Sequence, residues 1–348
     1  MGERLQARAA GKYRRDRASY NAGMNLLPRH RRVALAALAL LGLAGCAAAP
    51  VVPEHPLIGR IWDVRTGHFV DEATLQSRLA AAPLRLLGEI HDNTEHHTLR
   101  AAWIARIAAA GTRPAVVFEQ FDQDHDAALA TARTAGGDAE ALADAGRFNR
   151  KGWNWPIYKP LVDAALAAGL PVVAGNLSSA EARRIARGGL DPGKDALIAA
   201  TMAQSDWSDA RESRLRSGIM QGHCNLLPES AVPRMAESQR ARDAVIATRV
   251  ADAAATHGGA ILIAGNGHVR RDLGVPAYLP AALRGTAITV GLIEVRTGEP
   301  DAAGYGRNAA GEPVFDFIRF TARRERPDPC EGLEKRLPKP PPAGASST

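Results

Sequence analysis

A chain of 348 residues that is 46% hydrophobic and 23% charged has an ordinary globular balance and is long enough for one large or two small cores. Its formal charge of +7 invites a nucleic-acid partner, yet nine of the 44 basic residues and two of the 37 acidic ones fall within residues 1–45. The other 35 of each sign cancel, so the body lacks the broad basic footprint that phosphate backbones call for, and nucleic acid is excluded as a partner.

The basic head, from Arg4 to Arg32, precedes the apolar run Val33 to Leu41, which is too short to span a bilayer comfortably and reads as the core of a secretory signal. Leu43-Ala44-Gly45-Cys46 then resembles the bacterial lipobox. That resemblance implies cleavage before Cys46, a diacylglyceryl group on its sulfur and a membrane as partner. Met24, just ahead of Arg29, Arg31 and Arg32, gives a leader of more usual length, and residues 1–23 then overrun the true start. With Cys46 lipidated, Cys224 and Cys330 remain in an oxidising compartment. They either pair or stay separate thiols; their spacing matches no zinc motif.

Residues 47–56, with three alanines and three prolines, form a flexible tether. Short strands at Ile58 to Trp62 and Phe69-Val70 flank a turn at Asp63 to Gly67. A helix opens at Asp71, with its acidic residues where the helix dipole favours them, and ends before Pro83. Leu84 to Leu87 is the first core strand, followed by a helix from Thr94 to Ala110 with Leu99, Trp103, Ile104 and Ile107 at helical spacing. A strand at Ala115 to Phe118 leads to Glu119, and residues 122–145 are helical with a break at Gly136-Gly137. Residues 148–158 are aromatic and irregular, and a helix from Leu161 leads to a strand at Pro171 to Ala174. Residues 178–257 form a helical part, followed by strands at Ala260 to Ala264 and Ile288 to Val295, an edge strand at Val314 to Phe320, and a Pro-rich tail over 326–348. Apolar strands alternating with helices predict an α/β fold: a mostly parallel sheet flanked by helices, with a helical insertion, in a single domain over 57–325.

Two strands end alike. Leu86-Leu87 runs into Gly88-Glu89-Ile90-His91, and Ile261 to Ile263 runs, through Ala264, into Gly265-Asn266-Gly267-His268. Ligands of open α/β sheets bind beyond the carboxyl ends of the strands, so Glu89, His91, Glu119, Asn176, Asn266 and His268 are expected at one edge. Glu89, His91, Glu119 and His268 suit a divalent metal that activates water, metal-free acid and base work, or a structural polar network. His96 and His97, neighbours on a helix, are read as solvated. His223, among helix breakers, is a candidate ligand or loop-borne acid or base.

Leu87 to Asn93 with His96-His97, then Gly265 to Pro276, His223 to Pro228 and Gln239 to Asp243, together resemble the ChaN family of haem-binding, iron-regulated lipoproteins. That family sits in a superfamily with the Tiki proteases, TraB and the erythromycin esterases. The resemblance runs from about Leu84 to Leu279. It implies an α/β fold, outer-membrane anchorage facing the periplasm or cell surface, and a link to iron through haem. For Glu89, His91, Glu119 and His268 it implies metal binding and hydrolysis. Haem in this family is held by tyrosine between two subunits, implying a homodimer; Tyr158 and Tyr278 are the candidate ligands. A lipid-anchored haem binder and a metal-dependent hydrolase therefore stand side by side.

Overall fold

The computed structural model describes residues 55–334. The leader, Cys46, residues 47–54 of the tether and residues 335–348 of the tail lie outside them. Eight strands form one sheet: β1 (Ile61–Asp63), β2 (His68–Val70), β3 (Leu84–Leu87), β4 (Ala115–Asp122), β5 (Val172–Asn176), β6 (Ala260–Ile263), β7 (Ala287–Glu294) and β8 (Phe317–Thr321), in the order β2-β1-β8-β7-β3-β6-β4-β5. From β8 to β5 the strands are parallel, and β1 and β2 add an antiparallel ribbon. The expected edge strand is thus interior. β8 lies between β7 and β1 because the hairpin of β1 and β2 pairs onto its outer side.

Both faces of the parallel part are buried, which is why its strands read as continuous apolar runs. Leu87, Val116, Phe118, Ile261 and Ile263 pack with Trp103, Ile104 and Ile107 of the helix Thr94–Ala109 and with Tyr158, Leu161 and Val162 of the helix Trp155–Ala167. On the other face Leu84, Leu86, Val117 and Leu262 meet Ala244, Ala247 and Val250 of the long helix Val232–His257. Alternate residues of one strand serve the two layers, as the twofold period of a strand requires. Arg85 breaks the apolar run. It is buried, and it donates to the carbonyls of Leu79 and Ala80 at the end of the helix Glu72–Ala81, where a cation meets the helix dipole.

Between β5 and β6 lie the helices Ser179–Gly188, Ala196–Ala203, Asp209–Gly222 and Val232–His257. Residues 148–158 are not irregular. Asn149 caps a one-turn helix, Arg150–Trp153, and Asn154 in the left-handed region joins it to Trp155–Ala167, whose first turn holds Pro156. Proline is at home in a first helical turn, where its missing N–H costs no bond. Cys224 and Cys330 are bonded to each other.

Chain order places the two similar strand ends side by side. β6 inserts between β3 and β4, pairing Leu87 with Ile263, while β7 takes the other side of β3. The connection from β3 runs toward β4 on one side and that from β6 back across β3 to β7 on the other, so the adjoining ends of β3 and β6 flank a switch point, where such sheets form a crevice.

Candidate functional site

Directly after Leu87, Glu89 turns inward and becomes the centre of a buried group. Its Oε1 accepts hydrogen bonds from Tyr158 Oη (2.6 Å) and His91 Nδ1 (2.5 Å), and its Oε2 accepts from Arg100 and lies 3.2 Å from His97 Nε2. Burial opposes a charge here, but the Arg100 guanidinium and the His91 bond hold the Glu89 carboxyl below its ordinary range. Tyr158 is pushed far above the usual phenol range by burial and by the Glu89 charge.

His91 is the exposed member, with half of its side chain in solvent and its ring edge-on to Trp153 at 4.7 Å. Its Nδ1 is bound to Glu89, whereas its Nε2 has no hydrogen bond among the described residues. Burial alone would lower its pKa, but the Glu89 bond and the nearby Glu119 carboxylate raise it above the ordinary imidazole value.

A second group lies across the crevice. Glu119 receives the Gly265 N–H at 2.7 Å and faces His268 Nε2 at 3.2 Å, while His268 Nδ1 lies 2.6 Å from Asp243 of the helix Val232–His257. All three side chains are buried. With a carboxylate on each nitrogen, the ring is an imidazolium: burial works against the charge, yet Glu119 and Asp243 push His268 up to about 10. His268 in turn holds Glu119 down to about 2 in spite of its burial. Asp243 is pushed up by its burial, its bond to His268 notwithstanding.

Glycine lets the two turns meet. A Cβ on Gly88 would lie 2.3 Å from Asn266 Oδ1, and one on Gly265 would lie 2.8 Å from His91 Cε1. Gly265→Ala is therefore expected to keep the fold, since its backbone is extended and the half-exposed ring can yield, but to push His91 off Glu89. The His91 pKa then falls toward the ordinary value in an NMR titration; an unchanged pKa would show that the ring does not depend on that close approach.

His96 and His97 are buried rather than solvated. His96 Nδ1 accepts from the Ile90 N–H at 2.9 Å and its Nε2 pairs with Thr321 Oγ1 of β8 at 2.8 Å. His97 Nε2 donates to the His91 carbonyl and its Nδ1 accepts from Arg100. Burial and the Arg100 charge lower His96 to about 3 and His97 to about 4, so both are neutral. Adjacent helical residues do point apart, but the first turn of this helix enters the crevice and both directions are interior.

Tyr278 and His223 stand elsewhere, whereas Asn266 and Asn176 lie at the carboxyl ends of β6 and β5. Tyr278 is buried against Trp207, and its hydroxyl accepts from Arg240 Nε at 3.2 Å. His223 ends the helix Asp209–Gly222 with Nδ1 bonded to the Ile219 carbonyl of the same helix, not to the strand-end groups. Asn266 ties β7 to the turn through the Leu292 carbonyl and N–H. Asn176 and Gln120 are buried at the ends of β5 and β4, with Asn176 Oδ1 and both polar atoms of Gln120 unpaired among the described residues.

A divalent metal does not fit the side chains as they stand. Among the described residues no three His, Cys, Asp or Glu side chains are arranged to hold one, and both nitrogens of His96, His97 and His268 are already engaged. Arg100 and Asp243 complete the two buried groups and were not picked out from sequence. Arg100 had a signal: it lies three and four residues from Trp103 and Ile104, on the buried stripe.

The family described as haem-binding uptake, Tiki superfamily, ChaN matches residues 75–279. Among solved structures, the chain is similar to the ChaN of Campylobacter jejuni with cofacial haem binding, at a TM-score of 0.55 and 20% identity over 74% of this chain and 95% of that one. This is a likeness of fold. Fainter likenesses are to the type III effector HopBA1 (TM-score 0.38, 15% identity, 72% of this chain and 93% of that one) and to an erythromycin esterase mutant in its open conformation (0.36, 12%, 66% and 76%). No curated protein matches the chain.

Proposed function

We propose, on the premise that the chain belongs to the ChaN family of haem-binding uptake proteins in the Tiki superfamily, that it binds haem and serves iron or haem uptake outside the cytoplasm. The match over residues 75–279, which takes in both Gly-x-x-His turns and the helical part, carries this reading. A lipid on Cys46 anchors the protein in the outer membrane in this account. The Cys224–Cys330 disulfide supports an oxidising compartment. A homodimer belongs to the proposal because cofacial haems, as in the Campylobacter jejuni protein, bring two haem faces together.

Of the two candidate tyrosine ligands, Tyr158 fits poorly. It is fully buried and donates to a carboxylate, which opposes loss of its proton. Tyr278 fits better, although its burial and the Asp243 charge raise its pKa too, because an Arg240 N–H already points at its oxygen and a phenolate on iron gains from a nearby cation. Trp207, stacked on it, borders an open cavity of about 410 Å³ that is also lined by Met202, Arg216 and Arg240, a volume within the range of small-ligand sites. Trp207 must move for Tyr278 to reach a haem there. Titrating the purified protein with haem is expected to give a saturable Soret shift, weakened and moved in Tyr278→Phe and retained in Tyr158→Phe. No spectral change with wild type would refute haem binding; a shift untouched by either substitution would refute tyrosine as ligand.

One observation favours a second reading. Exposed His91, oriented through Nδ1 by Glu89, is placed as an acid or base for hydrolysis by water, beside the Glu119–His268 pair. An ester and peptide substrate screen, with and without chelator and with His91→Ala as control, tests it; no turnover that depends on His91 would end it.

A further inference from the structure

One helix of the body is apolar yet uncovered. Ala196–Ala203 reads Ala-Leu-Ile-Ala-Ala-Thr-Met-Ala, and none of its residues is buried. Leu197 is 85% exposed, whereas Leu226, the other exposed large hydrophobic among the described residues, is 37% exposed. A single exposed leucine is ordinary, but this one walls a half-open cavity of about 510 Å³, a volume within the range of small-ligand sites. Ile198, Ala244 and Val245 continue the apolar lining, Lys194 and Arg249 stand at the same cavity, and no Asp or Glu side chain lines it. Arg249 is committed, since it donates to Asp126 and to the Ala174 carbonyl. Lys194 is exposed, and its amine has no hydrogen bond or ion pair among the described residues. The carboxylates next to it in sequence are engaged elsewhere: Asp195 by Arg184 and the Asp191 N–H, and Asp191 by the Gly193 N–H.

We propose that this cavity binds an aliphatic carboxylate, with the chain laid along Leu197, Ile198, Ala244 and Val245 and the head on the Lys194 amine. The chain gains by leaving water for an apolar wall, and Leu197 gains by being covered. The head meets the one cation at the cavity that has no carboxylate partner, so a monoanion is matched and a doubly charged head is not. This site is separate from the one considered for haem. Met202 of the same helix borders the cavity beside Trp207, but neither Trp207 nor Tyr278 lines the cavity beside Leu197.

Titration of the full chain with carboxyl-labelled decanoate, followed by NMR and calorimetry, tests this with Lys194→Glu, Leu197→Asn and Tyr278→Phe. Both Lys194 and Leu197 are exposed, so their variants keep the fold. Saturation at one decanoate per chain is expected, weakened about tenfold by Lys194→Glu, several-fold by Leu197→Asn and not at all by Tyr278→Phe. Decyltrimethylammonium, with the same chain and the opposite charge, is expected to bind at least about tenfold more weakly than decanoate. Equal binding of the two amphiphiles would overturn the role of Lys194. Uptake that does not saturate and ignores both cavity variants would be surface adsorption and would overturn the site. A dimer seen by sedimentation without ligand and lost in Leu197→Asn would give this face to a second copy of the chain, again overturning it. Displacement of decanoate by haem, one for one, would merge the two sites and refute their separation, whereas failure of haem to bind anywhere leaves the decanoate result as it stands.

Discussion

Glu89→Ala is expected to cost about 3–5 kcal/mol of folding stability, the loss typical of removing one partner from a buried ion pair. The reason is what remains. Arg100 is fully buried and its guanidinium points at Glu89, so truncation leaves a cation in the core with only the His97 ring and a carbonyl beside it. Tyr158 loses its acceptor at the same time. Denaturant unfolding should show the midpoint falling with little change in slope. Glu89→Leu combined with Arg100→Met should recover part of the loss, since an apolar pair avoids desolvating either charge while Tyr158 and His97 still lack their partners. A single-variant loss under about 1 kcal/mol would mean that Arg100 escapes to water.

His268→Ala is expected to be comparably costly, about 3–5 kcal/mol near neutral pH, because Glu119 and Asp243 would face each other without the imidazolium between them. Its pH dependence is the sharper test. The folded pKa of His268, about 10, lies above the ordinary 6.5, so its contribution is complete below pH 6.5 and disappears as pH rises toward 10. His96 and His97, lowered to about 3 and 4, act oppositely: their contribution is complete above pH 6.5 and is lost as pH falls toward those values. Glu119, at about 2 against 4.5, adds to the acid limb, its share being lost below pH 4.5. Wild-type stability should therefore peak near pH 6.5. In His268→Ala the alkaline limb should flatten to what the raised His91 supplies, and the two proteins should converge near pH 10. Parallel alkaline limbs would show that His268 is not the buried cation.

The buried histidines show how far local reading reaches. The helix from Thr94 could be placed from its apolar spacing. Its exposure could not, because whether a first turn meets water or a crevice depends on β7 and β8, about two hundred residues later. Asp243 is a similar case. Nothing local separates it from the neighbouring Arg242; only the seating of its helix on β4 and β6 brings it to His268. Tyr158 stands in an aromatic stretch, and its aromatic neighbours Phe148 and Trp153 help to bury it.

The local chemistry of the chain by itself determined the α/β class, the positions of the parallel strands and the polar ends of β3 and β6, because fully covered strands must be continuously apolar and polarity can return only where they stop. The order of the strands, with β8 interior and β3 beside β6, was decided only in the tertiary structure. So were the protonation states. A histidine between two carboxylates is a cation and one beside a buried arginine is neutral, and those partners come from distant segments.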